Sequence, residues 1–107
     1  MLPKGSRLPY EEFRARGYRT APTPLFLLKA KPNSTGKNRL GIIIGTSSIK
    51  SAARRNLWRR RVKTVFLSVS QKGFDLLVIF SPHTTLPSEK VFKKTLGAAI
   101  TSLISRP

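Results

Sequence analysis

Only five side chains in this 107-residue sequence, four carboxylates and one histidine, are of the types that usually hold metal ions or move protons when a phosphodiester is cut. Such chemistry normally needs two or more of these groups held close together. The carboxylates belong to Glu11, Glu12, Asp75 and Glu89, and the adjacent pair would diverge by about 100° on a helix. His83 stands alone in a turn-like segment, and we interpret it as a surface residue. We therefore predict no catalytic side chain and no metal ligand in this chain.

The charge balance is the strongest feature of the composition. Twenty-one Lys and Arg residues against four Asp and Glu residues give a net charge of +17 and a pI near 11.8. A small domain this basic usually binds a polyanion, most often a nucleic acid and less often an acidic membrane surface. No apolar run is long enough to cross a membrane, no secretory signal is present, and there is no cysteine. We expect a soluble, cytoplasmic protein with no membrane partner.

The basic residues are densest between positions 50 and 63, where seven of the 21 occur. Arg55, Arg59 and Lys63 follow at intervals of four, which puts like charges on one helix face and weakens an isolated helix. No acidic residue lies between Glu12 and Asp75 to neutralise them. A charge run is often only a solvated helix face, but this arrangement favours phosphate binding, which would also release counterions.

Two other residues in this segment allow more than one interpretation. Trp58 shares an apolar helical stripe with Val62, Val65 and Phe66, which favours a core position over a base-stacking role. Asn56 is a poor helix-interior residue, and the sequence leaves open a surface polar group or a hydrogen bond to RNA or to a neighbouring loop.

The apolar patterns predict an α+β protein with a helix over 8–17, strands over 25–30, 40–45 and 74–80, and helices over 51–70 and from Ser88 onward. A short additional strand fits near 18–24. We expect the strands over 25–30 and 40–45 to form an antiparallel pair. At this length one domain over 1–107 is expected.

The order of these motifs resembles the protein component of bacterial ribonuclease P. The signature of that family is a basic helix that contains Arg-Asn, two variable residues, two basic residues and one more basic residue a turn later. In this sequence the pattern is Arg55-Asn56-Leu57-Trp58-Arg59-Arg60 followed by Lys63. An Arg-Leu pair and a phenylalanine precede it, here Arg7, Leu8 and Phe13, as does a strand ending in Leu40-Gly41-Ile42-Ile43-Ile44. The resemblance spans nearly the whole chain.

The resemblance implies an α-β-β-β-α-β-α sandwich like a ribosomal small-subunit protein domain, with a left-handed βαβ crossover. It implies a subunit of a ribonucleoprotein endonuclease that removes the 5′ leader from precursor tRNA, with one protein per catalytic RNA and with magnesium held by the RNA. The RNA-binding residues implied are Arg54, Arg55, Asn56, Arg59, Arg60 and Lys63. A leader cleft would be lined by Phe13, Leu27 and Lys29, where Lys29 replaces a common aromatic residue.

Two other function classes remain at this stage. A non-enzymatic basic RNA-binding protein of ribosomal type would share the charge and the fold. A stand-alone nuclease is disfavoured because the chain has so few acid and base groups.

Overall fold

The computed structural model describes residues 2–83 and 85–105 and has the predicted α+β architecture. Four strands and two α-helices follow two 3₁₀ turns, Lys4–Ser6 and Tyr10–Arg14. In chain order the elements are β1 (Arg19–Pro22), β2 (Phe26–Pro32), β3 (Arg39–Ile43), α1 (Ala52–Leu67), β4 (Phe74–Phe80) and α2 (Glu89–Ile104). The short strand expected near 18–24 is β1.

The four strands form one mixed sheet in the order β1-β2-β4-β3. β2 runs antiparallel to both β1 and β4, whereas β3 runs parallel to β4. The predicted antiparallel pair of β2 with β3 is therefore wrong, because β4 lies between them. β4 is the most continuously apolar strand and is buried on both faces, so it takes a central position. Asn38 fixes this order, since its amide donates to Gln71 O and its Oδ1 accepts from Phe74 N at the start of β4.

The β3–α1–β4 connection is left-handed. Even-numbered β4 residues face the helices, so odd-numbered residues face away from them. The Ser81 amide donates to Leu25 O, and Gly73 O accepts from the Asn33 amide, so the odd-numbered peptide groups point toward β2. Consider a strand of L-residues drawn with its C-terminal end upward and one side chain pointing toward the viewer. The N–H and C=O groups of that residue then point to the viewer's right. Seen from the helices, β3 therefore lies to the right of β4, and the crossover through α1 has the rare hand.

Both helices pack on one face of the sheet and enclose the core. Trp58 of α1 meets Phe92 of α2 edge-to-face with ring centroids 4.8 Å apart, and Phe26 and Phe80 surround them. Trp58 is 2% exposed, so its core position is confirmed. The stripe of α1 and the Phe92 side of α2 supply the remaining helical core residues, as predicted.

The first predicted helix is not an α-helix. The chain forms a short 3₁₀ turn over Tyr10–Arg14, closed by bonds such as Glu12 N to Pro9 O. The turn begins after Pro9, Ala15 is already extended with ψ 158°, and Gly17 adopts φ +93°, so the segment is too short for α-helical turns. The turn carries Phe13 onto the sheet face that lies away from the helices.

Candidate nucleic-acid interface

Helix α1 turns its basic residues away from the core. It begins after Ser51, whose hydroxyl accepts a hydrogen bond from Arg54 N at 3.3 Å. Its buried residues are Trp58, Val62, Val65 and Phe66. These positions form one face, so the side chains between them point to solvent or to the edge of the sheet. The predicted contiguous basic face is present along the outer side of this helix.

Arg59 and Lys63 line a groove at the outer edge of β3. The groove has a volume of about 240 Å³, and its floor includes Phe13, Leu40 and Gly41. Arg7 adds a third cation to its wall. The site therefore combines an apolar, partly aromatic floor with cationic walls, which suits a base attached to a phosphate.

The other predicted helix residues occupy different environments. Arg55 Nη1 donates to Ile49 O at 2.9 Å and to Lys50 O at 2.7 Å, so its side chain also secures the turn that leads into α1. Arg60 and Asn56 are exposed, and Asn56 Oδ1 lies 3.5 Å from Arg59 Nη1.

Arg54 lies farther round the helix, where it lines a second groove with Lys50 and the loop at Thr85 and Leu86. Arg54 is exposed, so its guanidinium is accessible from solvent. Of the predicted helix residues, Arg59 and Lys63 line the first groove and Arg54 lines the second, whereas Arg55, Asn56 and Arg60 line neither. Arg54 lies on the same side of α1 as Arg61, seven residues later, and is therefore separate from the basic face formed by the other five.

Arg61 belongs to the helix but not to this surface. Its guanidinium carbon lies 4.5 Å from the Trp58 ring centroid, and its Nε is 3.0 Å from Glu89 Oε1 on α2. Lys93 and, to a smaller extent, Arg61 lower the pKa of the Glu89 carboxyl. Arg61 therefore connects the two helices.

The face of the sheet away from the helices, called the open face below, brings the predicted cleft residues together. Leu27 pairs with Ile79, and Lys29 pairs with Leu77, all with side chains on this face. Phe13 lies over Gly41, where an added Cβ would come within 2.7 Å of its ring. Only glycine allows this close approach. Phe13, Leu27 and Lys29 are all partly exposed, as a binding surface requires.

Sequence reasoning missed a polar network at one end of the open face. The fully buried Asp75 accepts from Arg39 Nε at 2.7 Å and Nη2 at 2.8 Å, and from Asn33 Nδ2 at 2.8 Å. The hydrogen bonds that the Arg39 guanidinium donates to Asp75 raise the pKa of Arg39. A lone acid inside the apolar β4 sequence was the available signal, because a buried carboxylate needs a cationic partner.

Tyr18 is a second residue that the sequence did not single out. Its hydroxyl donates to Glu12 O at 2.7 Å. Burial, followed by the charges of Asp75 and Glu12, raises the pKa of Tyr18 to about 12. It therefore remains a neutral aromatic ring at physiological pH.

Three of the four described carboxylates are engaged in ion pairs, and the fourth, Glu11, is exposed to solvent. Glu12 pairs with Lys31 at 3.0 Å, while Asp75 and Glu89 have the partners given above. Within residues 2–83 and 85–105, no three His, Cys, Asp or Glu residues come close enough to hold a metal ion. In the same ranges no helix is long and apolar enough to cross a membrane. The arrangement is suited to binding phosphates and bases.

Comparison with known proteins gives one family. The sequence model of the Ribonuclease P family matches residues 7–103. No curated protein matches significantly. The RNase P protein from Thermotoga maritima superposes with a TM-score of 0.62 at 23% identity, covering 94% of this chain and 96% of that one. A Staphylococcus aureus RNase P protein gives 0.56 at 16% identity, covering 81% and 78%. These two likenesses, under 25% identical, show the fold.

The family match runs from Arg7 through the basic helix and almost to the end of α2. The solved bacterial proteins share the same mixed sheet with two helices. This chain therefore belongs to the Ribonuclease P family.

Proposed function

We propose that this chain is the protein subunit of a ribonucleoprotein that removes the 5′ leader from precursor tRNA, and that the RNA subunit performs the hydrolysis. The observation that carries the proposal is the groove in which Arg59 and Lys63 meet Phe13 at the edge of the open face. It joins a phosphate-binding helix to a surface suited to single-stranded RNA. Membership of the family supplies the reaction class.

The outer surface of α1 would bind the catalytic RNA. Each cation that neutralises a phosphate also releases condensed counterions, so a row of Arg and Lys is an effective RNA anchor. Arginine predominates in the segment and can form bidentate contacts with phosphates. The residues proposed for this role are Arg54, Arg55, Asn56, Arg59, Arg60 and Lys63.

The open face would hold the leader of precursor tRNA. Phe13 offers a ring for stacking, Leu27 an apolar floor and Lys29 a charge for the backbone, all partly exposed. Stacking tolerates any base, so such a surface suits leaders of varied sequence.

Magnesium in this proposal belongs to the RNA. The described carboxylates of this chain do not fit a metal site, because Glu12, Asp75 and Glu89 are each occupied by a cationic side chain and the exposed Glu11 belongs to no cluster of three potential ligands in the described ranges. The protein would contribute positive charge that lowers the magnesium concentration required for RNA folding and substrate binding. One protein per RNA provides a single leader surface for a single cleavage site.

Reconstitution tests the proposal. The RNA subunit from the same genome is assayed on precursor tRNA at high and low magnesium, with and without the purified chain. We expect the chain to restore cleavage at low magnesium, and polylysine at equal charge to fail to do so. If the RNA cleaves at high magnesium but gains nothing from the chain at low magnesium, the proposal is wrong. Crosslinking in cells provides a second test, since recovery of ribosomal RNA alone would support the non-enzymatic alternative.

A further inference from the structure

Tyr18 lies on the open face between two lysines of β2. The pairing of Arg19 with Ala30 places Tyr18, one residue earlier, beside Lys31. The Lys31 Nζ is 5.0 Å from the centre of the Tyr18 ring, and the Lys29 Nζ is 5.9 Å from it. The hydroxyl bond to Glu12 O holds the ring in this position.

The charges around this ring do not balance. Glu12 pairs with Lys31, but in the described part of the chain no carboxylate pairs with Lys29. Two ammonium groups thus lie near one ring, and Glu12 pairs with only one of them. The other nearby carboxylate, Asp75, is already bonded to Arg39. The mutual repulsion of the two ammonium groups does not help folding, whereas a bound phosphate would neutralise it.

We propose that Tyr18, Lys29 and Lys31 form a nucleotide subsite for single-stranded RNA, in which a base stacks on the ring and its phosphate lies between the two ammonium groups. The subsite rests on the proposed function, because the leader of precursor tRNA is the single-stranded RNA brought to this face. Lysine side chains are long and flexible, so both can exchange their contact with the ring for a contact with phosphate. The stacked base then takes the place of the lysine side chains against the Tyr18 ring.

The new subsite is separate from Phe13 but accessible from it along the same face. Phe13 lies over Gly41 on β3 and near Leu77 on β4, and Leu77 pairs with Lys29 on β2. Tyr18 precedes β1, the next strand outward. The Tyr18 hydroxyl bonds to the peptide oxygen of Glu12, the residue before Phe13, so the two rings lie within about 12 Å of each other. A leader crossing the face would therefore place different nucleotides on the two rings.

The test uses the holoenzyme reconstituted from the RNA subunit and the full chain. Its affinity is measured for precursor tRNA with a full leader, with no leader, and with one abasic nucleotide placed at each leader position in turn. The variants are Tyr18→Phe, Tyr18→Leu, Lys29→Met and, as a control of equal charge change on the opposite side of the protein, Lys94→Met. Denaturation midpoints of all variants are measured in parallel.

We expect Tyr18→Leu to weaken binding of the full-leader precursor by about 5-fold to 100-fold, the usual range for loss of one stacked base. Tyr18→Phe should bind as the wild type does, because it keeps the ring. An abasic nucleotide at one leader position should weaken binding to the wild-type holoenzyme. The same abasic leader should bind the Tyr18→Leu holoenzyme as well as the intact leader does. Lys29→Met should reduce the salt dependence of leader binding by about 0.7 in slope, and Lys94→Met should leave it unchanged.

The possible failures are distinguishable. If the wild type does not prefer the full leader to no leader, both the proposed leader function and this inference are wrong. If the wild type has that preference and Tyr18→Leu keeps it in full, only the inference is wrong. Lys29→Met keeps the test decisive should Tyr18→Leu have a lowered midpoint, because Lys29 is a partly exposed charge that makes no ion pair in the described ranges.

Discussion

Replacing Gly41 with alanine should dislodge Phe13 from the open face without touching the basic helix. The new Cβ would lie 2.7 and 2.8 Å from two Phe13 ring carbons and 3.1 Å from Leu77 Cδ1. Carbon atoms prefer separations of about 3.5–4.0 Å, so the ring must move by about 1 Å. Overpacking of this kind typically costs about 1–3 kcal/mol of folding free energy. The lost stacking surface should weaken binding of the precursor leader by a similar free energy.

The assay is a double-mutant cycle with Gly41→Ala, Phe13→Ala and both together. Urea denaturation gives the stability of each variant, and affinity of the reconstituted enzyme with and without the leader gives the functional effect. With Phe13 shortened, the new methyl group has room, so the stability cost of Gly41→Ala should largely disappear. The reasoning would be refuted if Gly41→Ala destabilised the Phe13→Ala variant as much as it destabilises the wild type. It would also be refuted if Gly41→Ala left the affinity for the leader unchanged.

Three further predictions concern other parts of the molecule. Arg59→Ala should lower the slope of log affinity for RNA against log salt concentration by about 0.9, which changes the affinity ratio between 50 and 200 mM salt by about 3.5-fold. Arg61→Ala should leave that slope unchanged and lower the free energy of unfolding by about 1 kcal/mol. Tyr18, with a pKa of about 12, should ionise well above the ordinary value of 10.0, so its contribution to stability is complete below pH 10 and lost as pH rises toward 12. Absorbance titration at alkaline pH should show this step in the wild type and not in Tyr18→Phe. Asp75→Ala should cost about 1–3 kcal/mol, because it removes the hydrogen bonds that the buried carboxylate accepts from the partly exposed Arg39 and from Asn33, and an unchanged denaturation midpoint would contradict that role.

The sequence predicted the elements better than their pairing. Helix α1 was predictable because its cap, Ser51, and its apolar stripe are both local signals. The neighbours of β3 were not, because several apolar strands can satisfy the same hydrogen bonds, and the choice depends on contacts such as Asn38 with Phe74, 36 residues away.

In the candidate site too, features set by local sequence could be predicted and features set by strand pairing could not. The basic face of α1 followed from helical spacing. The position of Tyr18 did not, because Tyr18 lies in a connector and acquires its lysine neighbours only through strand register. The short turn that replaces the first predicted helix depends on the extended Ala15 and on Gly17, whose effect on so short a segment outweighed the helical pattern.

The central position of β4 has a consequence for biosynthesis. β2 and β3 are translated well before β4, yet each needs β4 as its hydrogen-bonded neighbour. Until the ribosome has released residues 74–80, β3 has no neighbouring strand and β2 has only β1. The surface beneath Phe13 is also incomplete, because its support comes from both β3 and β4. A growing chain of this sequence therefore cannot capture its RNA ligand on that surface early, and premature termination before β4 yields a fragment prone to aggregate rather than one with partial activity.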